Sequence, residues 1–579
     1  MQLQLRPVDE QLVTRLAVAL RVRTATARCL VARGVHDPRD AQGFVDPRLA
    51  ALRPPAGLAG LSSAVGRIAD AVQRNQRIGV FGDYDVDGVT TAALLTSFLR
   101  AAGATVEVAV AKRDAGYGFT PSAAQDFVDR GCQLIVTGDC GTSDLEAISL
   151  AARHRVEVIV IDHHTVPSAD IPHPALALVN PYRTDSTFPF RGMASVGLGF
   201  YVAAAVRTEL RDRGHFHTCA EPDVRDLLDL VALGTIADLV PLTAENRILT
   251  ALGLRRLQSR ARPGVAALLA VAGVDGEREV DARTVAWKLA PRINAPGRLG
   301  AAEPSLALLL AGADTAAECA QALEAANAER RTIQDRVMTE ALEQLGDRDP
   351  GSAIVIAGEG WAPGVVGIVA AKLVDKFGVP AFVVGIDPVT GLGRGSARTS
   401  GGIDLYRALT IASQTGGSLD RFGGHAAAAG FTVQRESFAA LAEALGGACG
   451  KLAEGSGPIS TMREFDAEVR LGEVDERLAA ELAGLGPFGQ NNAAPVLVTR
   501  GSRVTAVRRV GDTTHGPGHL KLTIEDDHST TRSAIGFGLG DREVTVGARV
   551  DLAFVPKVST WQGRRNAELE LSDLAVLDA

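Results

Sequence analysis

Within seven residues, Gly82-Asp83-Tyr84-Asp85-Val86-Asp87-Gly88, the chain places three carboxylates at alternate positions, directly after the apolar run 78–81 and ahead of a helical pattern. Three acids this close in an extended segment repel one another, and cations relieve that repulsion. An EF-hand loop shows similar alternation but requires glutamate at its twelfth position. Counted from Asp83 that position is Leu94, which excludes a calcium loop of that kind.

Strand-like runs at 78–82, 106–111, 133–138 and 156–161 alternate with helical stretches such as 90–102 and 144–154. That alternation predicts a parallel sheet with helices on both faces. Further acids stand where these strands end, in Thr137-Gly138-Asp139-Cys140-Gly141 and Ile161-Asp162-His163-His164, and a fourth group, Thr235-Ile236-Ala237-Asp238-Leu239-Val240-Pro241, follows a helical run. The carboxyl ends of parallel strands face one crevice, where ligands bind. Three of the four groups are therefore expected to share it. Taken singly, a strand-end aspartate reads as a helix cap and a His-His pair as surface or satisfied core. Their coincidence at one end of one sheet favours a metal site.

The 579 residues exceed one ordinary domain. We divide them into an N-terminal helical segment (1–76), an α/β catalytic domain (77–313), a connecting helix (314–348), a smaller α/β domain (349–456) and a β-rich C-terminal domain (457–579). The connecting helix shows apolar residues every three or four positions, with Asp314 as the expected N-cap and Gly346 as the stop. It is long enough to join two domains or to pack along one. In the last segment Leu520, Leu522 and Ile524 share one strand face, as do Val550, Leu552 and Phe554, so a small OB-like barrel is expected. Six scattered cysteines form no CxxC pair and read as reduced thiols. No signal peptide is recognised, and the apolar run 193–206 is too short to span a bilayer. A cytoplasmic protein without a membrane partner is expected. The net charge of −8 excludes a wholly basic surface but allows a local basic channel.

The succession DYDVDG, GDCG, DHH and TIADLVPL resembles the motif set of the DHH phosphoesterases. Val80-Phe81-Gly82-Asp83, Gly116-Tyr117-Gly118 and the stretch 291–299 (PRINAPGRL) are similar to the RecJ family within them. Gly393-Arg394-Gly395-Ser396-Ala397-Arg398 and the stretch 423–430 (GGHAAAAG) resemble the DHH-associated domain.

The resemblance implies a two-cation phosphodiesterase using manganese or magnesium, with manganese favoured by an imidazole ligand. Asp139 would bridge the ions; Asp83 and Asp85 would hold one, and Asp87, His163 and Asp238 the other. The ions would activate a water to attack phosphorus in line. Asp85, Asp87, Asp139, His163, His164 and Asp238 form the implied catalytic set, with His164 on the scissile phosphate or supporting the ligand shell and Asp162 orienting a histidine. Substrate contacts are implied for Lys112 or Arg113, Tyr117, Asn294, Arg298, Ser396, Arg398 and His425. Family members carry arginine where Lys112 stands. Trp561, Arg564 and Arg565 combine an aromatic with two cations, as stacking on bases requires, although a hairpin packed on its own barrel has the same composition.

The expected activity is 5′-to-3′ exonuclease action on single-stranded DNA in repair and recombination. A single-stranded-DNA-binding protein and a recombination helicase are the implied partners. Relatives that cleave short oligonucleotides, cyclic dinucleotides or pyrophosphate generally lack the barrel, which speaks for a longer polymer here. A non-catalytic scaffold would show neutral replacements among the ligands, whereas every candidate ligand is Asp or His.

Overall fold

The computed structural model describes residues 3–113, 116, 118–166, 173–276, 279–347, 349–454, 463–511, 518–561 and 564–577. A five-stranded, wholly parallel sheet runs in the order Thr105–Val110, Arg77–Gly82, Leu134–Gly138, Glu157–Ile161, Ala177–Val179. Its central strands are buried from Ile78 to Gly82 and from Leu134 to Gly138 because helices cover both faces. After Arg77–Gly82 the next strand is laid on one side and the later ones on the other. The strand order therefore reverses beside the three-acid loop, where an open sheet leaves its crevice. The helix Val86–Ala101 is buried nearly all round, between that sheet and the helices Ser195–Asp212 and Leu228–Ala237.

The helix Ala316–Leu345 joins two bodies and packs along both. Its 30 residues span about 45 Å. Ala320 and Leu323 belong to the core of the first body, while Val337 and Ala341 pack with Ile354, Val365, Val369 and Val383 of the second. Thr315 occupies the N-cap position in place of the expected Asp314, because the first turn closes from the Ala316 amide onto the Gly312 carbonyl (3.1 Å). Gly346 ends the helix at φ 56°, donating to the Leu342 carbonyl.

The second body is a mixed sheet in the order Arg421–Gly424, Ala428–Gln434, Leu392–Arg398, Ala381–Ile386, Ile354–Glu359. In the C-terminal sheet the strands Leu497–Val510 and Arg549–Trp561 pair to close a barrel. Leu520, Leu522, Ile524, Val550, Leu552 and Phe554 all point into its core.

The N-terminal helices do not stand apart. Val13, Leu16, Ala27 and Leu30 share one core with the barrel, and Leu3–Leu5 pairs in parallel with Arg463–Phe465. The buried Arg247 pins this junction to the first body. It donates to the Phe44 carbonyl (2.6 Å) and the Leu485 carbonyl (2.8 Å), with its guanidinium 3.7 Å over the Phe44 ring. Among the described residues no helix is long and apolar enough to cross a membrane.

Candidate active site

The three-acid loop folds back on the helix it starts. A Cβ on Gly82 would lie 2.2 Å from the Gly88 carbonyl oxygen, and one on Gly88 would lie 2.4 Å from the Asp83 nitrogen. Both glycines are therefore demanded by close backbone approach. Asp85 caps the helix, its Oδ1 accepting from the Gly88 amide at 3.1 Å. Asp87, in the first turn, accepts from the Ser195 amide (2.7 Å) and the Val196 amide (2.9 Å) at the positive end of the helix Ser195–Asp212.

Asp139 sits at φ 64°, a left-handed conformation that aspartate tolerates better than most residues. Such backbone costs about 1 kcal/mol or more and gathers at functional sites. Its Oδ1 accepts from the Ser195 hydroxyl at 3.2 Å.

The fourth acid arrives from a helix, not a strand. Leu228–Ala237 lies so close to Asp87 that a Cβ on Gly234 would meet Asp87 Oδ1 at 2.9 Å, and Asp238 is the C-cap of this helix. The loop that follows is braced from the barrel side, where the Leu242 amide donates to the Gln490 carbonyl (2.8 Å).

His163 Nε2 lies 3.3 Å from Asp139 Oδ1, 3.4 Å from Asp238 Oδ2 and 3.8 Å from Asp87 Oδ2. Ligand atoms of Asp83, Asp85 and Asp139 form a second group, all within 4.8 Å of one another. Thus all four motifs converge, where sheet geometry alone placed three and the resemblance implied the fourth; Asp139 joins Asp83 and Asp85 and also groups with His163 and His164. His164 is held differently. Its Nδ1 is bound to Asp162 Oδ1 at 2.7 Å, and that same oxygen accepts from the amides of both histidines. Asn180 Nδ2 donates to the His164 carbonyl (2.9 Å) and fixes the turn.

The residues fit a pair of divalent cations on evidence independent of the motifs. Asp83 Oδ1, His163 Nε2 and Asp238 Oδ2 are buried without a hydrogen-bond partner, a costly state unless something electropositive sits among them. Burial, reinforced by neighbouring acids, pushes Asp83 up to about 8, Asp87 to about 7 and Asp238 to about 9, and raises Asp139 well above the carboxylate range. Burial, then His164, pushes His163 down to about 4, leaving a neutral imidazole suited to ligation. Burial opposes charge on both Asp162 and His164. Their mutual hydrogen bond and attraction outweigh it, holding Asp162 well below the usual range and raising His164 to about 9.

Asp83, Asp87 and Asp238 have folded values above the ordinary 3.8, so their contribution to stability is complete below about pH 4 and is lost as pH rises through about 7 to 9. Metal-free protein is thus expected to melt at lower temperature at pH 8.5 than at pH 6. Manganese replaces those protons, so the increase in Tm it produces should be larger at pH 8.5. Thermal unfolding in chelator and in manganese at both pH values measures this; an equal increment would count against a carboxylate-held cation.

A cluster of arginines borders the acids. Gly297 lies against the acid loop, where a Cβ would meet the Tyr84 carbonyl oxygen at 2.7 Å. Arg113 donates to the Gly297 carbonyl (2.8 Å) and stacks over the Tyr84 ring at 4.1 Å. Arg298 donates to the Gly364 carbonyl (3.0 Å), where the second body touches the first. Burial, followed by Arg113, Arg330 and Arg398, pushes Arg298 down to about 10. Arg398 Nη1 donates to Ser396 Oγ at 2.9 Å. Lys112 is turned aside, exposed, with its Nζ 3.7 Å from Glu303. Asn294 is half-buried one turn before Arg298. His425 is exposed at the tip of a hairpin whose Ala428 is the register partner of Arg398. Tyr117 lies outside the described residues. Trp561 and Arg564 pair across the last hairpin with Arg565 next to them, and their side chains are outside the described set.

Four contributing residues escaped sequence reading. The Ser195 and Val196 amides lie in a run considered above only as a membrane candidate. Arg330 belongs to a helix whose pattern signals packing, and its guanidinium is aimed by Asn327 and Gln334. Asn180 carries no local signature.

Comparison with known proteins agrees with this geometry. Residues 77–235 match the DHH family N-terminal domain, 351–451 the DHHA1 domain and 465–573 the RecJ OB domain. The single-stranded-DNA-specific exonuclease RecJ of Bacillus subtilis is 34% identical over 582 residues, covering 100% of this chain and 71% of the relative. That of Escherichia coli is 33% identical over 604 residues, covering 99% of each. The crystal structure of RecJ from Thermus thermophilus in complex with Mn2+ superposes with a TM-score of 0.81 at 28% identity, covering 100% of this chain and 79% of that one. A Mg2+ complex from the same organism gives 0.76. The chain carries the three domains in order, and full-length relatives exceed 30% identity. It belongs to the RecJ family of DHH proteins.

Proposed function

We propose that this protein is a metal-dependent exonuclease that hydrolyses single-stranded DNA from its 5′ end in repair and recombination. A single-stranded-DNA-binding protein and a helicase are its partners in the cytoplasm, and the domain limits are those given above. The observation that carries the reading is the trio of buried, unpartnered ligand atoms on Asp83, His163 and Asp238, arranged about Asp139 and bordered by the arginine cluster.

Asp83, Asp85 and Asp139 would hold one cation, and Asp87, His163, Asp238 and Asp139 the other. Bound there, two cations supply an activated water and stabilise charge on the attacking and leaving oxygens. Ser195 holds Asp139 by its hydroxyl, and its amide with that of Val196 holds Asp87. Asp162 fixes the ring of His164, whose side chain is 41% accessible against 14% for His163. His164 is thus the histidine that reaches the scissile phosphate. Arg113, Arg298, Arg398 and Ser396 bind the terminal phosphate, and the second body closes that side of the crevice through the Arg298–Gly364 contact.

The test is degradation of end-labelled single strands, duplex and RNA with manganese or magnesium. Metal-dependent loss of single-stranded DNA from the 5′ end supports the reading. Activity confined to dinucleotides or pyrophosphate keeps the metal site and sinks the substrate. Absence of hydrolysis by folded protein with either metal favours a scaffold.

A further inference from the structure

Trp287 is 76% exposed, an unusual state for the largest apolar side chain. It lies in a single π-helical turn, Val285–Leu289, within a continuous helical run from Ala282 to Leu299. Such turns are frequent at functional sites. The run is about 27 Å long. Its far end abuts the acid loop, because Gly297 packs on the Tyr84 carbonyl and Arg298 enters the arginine cluster.

Its near end abuts the barrel. Arg283 Nη1 lies 2.7 Å from Glu570, and its guanidinium is 6.0 Å from the ring centre of Phe537. Phe537 is itself 49% exposed and stacks edge-on against His519 at 5.1 Å. Arg283, Trp287, Pro291, Asn294 and Arg298 recur every three or four residues, so they follow one face of the run. Arg283 and Trp287 are exposed, Pro291 and Asn294 half-buried, and Arg298 is the most enclosed, where the face enters the arginine cluster.

We propose that this face guides single-stranded nucleic acid between the barrel and the acid cluster, with Trp287 as a stacking platform for one unpaired base. Phe537 and His519 continue the path on the barrel. The inference rests on the reading of the chain as a single-strand nuclease. A duplex offers no exposed base face, so the platform would also favour unpaired substrate. Any of the four bases has such a face, which suits degradation without sequence preference.

The test is binding of a dye-labelled oligothymidylate of about 20 nucleotides to the full chain in chelator, so that no hydrolysis intervenes. Trp287→Ala is expected to weaken binding about five- to a hundred-fold, the range for loss of one base–aromatic stack. Trp287→Phe should restore most of it. A single abasic site moved along the oligonucleotide should weaken wild type at one position and leave Trp287→Ala unaffected there, the signature of a direct coupling. Equal affinity of wild type and Trp287→Ala, an identical abasic profile in both, or no binding by wild type would overturn the proposal. Failure of the wild type to degrade single-stranded DNA with metal would instead sink the parent reading, and the two results are read in separate assays.

Discussion

Replacing Asp139 with asparagine is expected to abolish metal-dependent hydrolysis while raising the melting temperature of the metal-free protein. Asp139 groups with Asp83 and Asp85 and its Oδ1 lies 3.3 Å from His163 Nε2 of the other group, so its charge is lost next to both proposed cation positions at once. Loss of a partner that merely supports a ligand costs about 10- to 100-fold. Loss of a shared ligand should therefore cost at least about a thousand-fold in turnover. The stability effect has the opposite sign for the same reason. Without cations, Asp139 is buried among Asp83, Asp85, Asp87 and Asp238, and its ionisation is opposed first by burial and then by their charge. A neutral isostere removes that penalty and leaves an oxygen to accept from Ser195. A rise of a few degrees at pH 8 is expected, since about 1 kcal/mol moves Tm by roughly 2 to 4 °C in a domain of this size. End-labelled hydrolysis and thermal unfolding in chelator measure the two halves. A variant that loses activity and also loses metal-free stability would point to a structural role for Asp139.

The second large effect is expected at Arg398, and it should depend on the substrate's end. Ser396 and Arg398 face the helix Pro363–Phe377 at Gly367, where a Cβ would lie 2.9 Å from Ser396 Oγ and 3.1 Å from Arg398 Nη2. Burial alone lowers Arg398, and the cluster pressing on Arg298 is dominated by cations. A concentration of guanidinium charge next to an acid cluster, without pairing to it, is a site for an anion. Charge-assisted hydrogen bonds to a phosphate contribute about 1.5 to 3 kcal/mol. Arg398→Ala is expected to lower kcat/KM for 5′-phosphorylated single strands by about 10- to 100-fold, and to affect 5′-hydroxyl strands far less. Arg398→Lys keeps the charge but loses the fork, so it should recover part of the difference. An equal loss on both substrates would assign Arg398 to folding or domain closure.

Much of the acid cluster is legible in the sequence because its constraints are local. Gly82 and Gly88 are required by backbone contacts a few residues away, and Asp83, Asp85 and Asp87 repel one another whatever the fold. Strand periodicity in the barrel is legible for a similar reason, since Leu520, Leu522 and Ile524 alternate with polar neighbours on a pleated chain. The long helix is legible in extent but not in its N-cap. That choice depends on a turn closing on Gly312, and Asp and Thr are both acceptable caps.

What the chain alone determined, then, is the chemistry: alternating acids that need cations, glycines that let the backbone close on itself, and two α/β segments followed by a barrel. The tertiary structure decided which groups meet. Asp238 reaches His163 because Gly234 lets its helix lie against Asp87, and Arg113, Arg298, Arg330 and Arg398 converge from four separate segments. The N-terminal helices join the barrel, far along the chain, through Val13, Leu16 and Leu30. Generic apolar positions record that a face is buried, since burial lowers free energy with area and is indifferent to partner. The partner is chosen by shape and by the sum of many weak contacts, and neither is written in any local stretch of sequence.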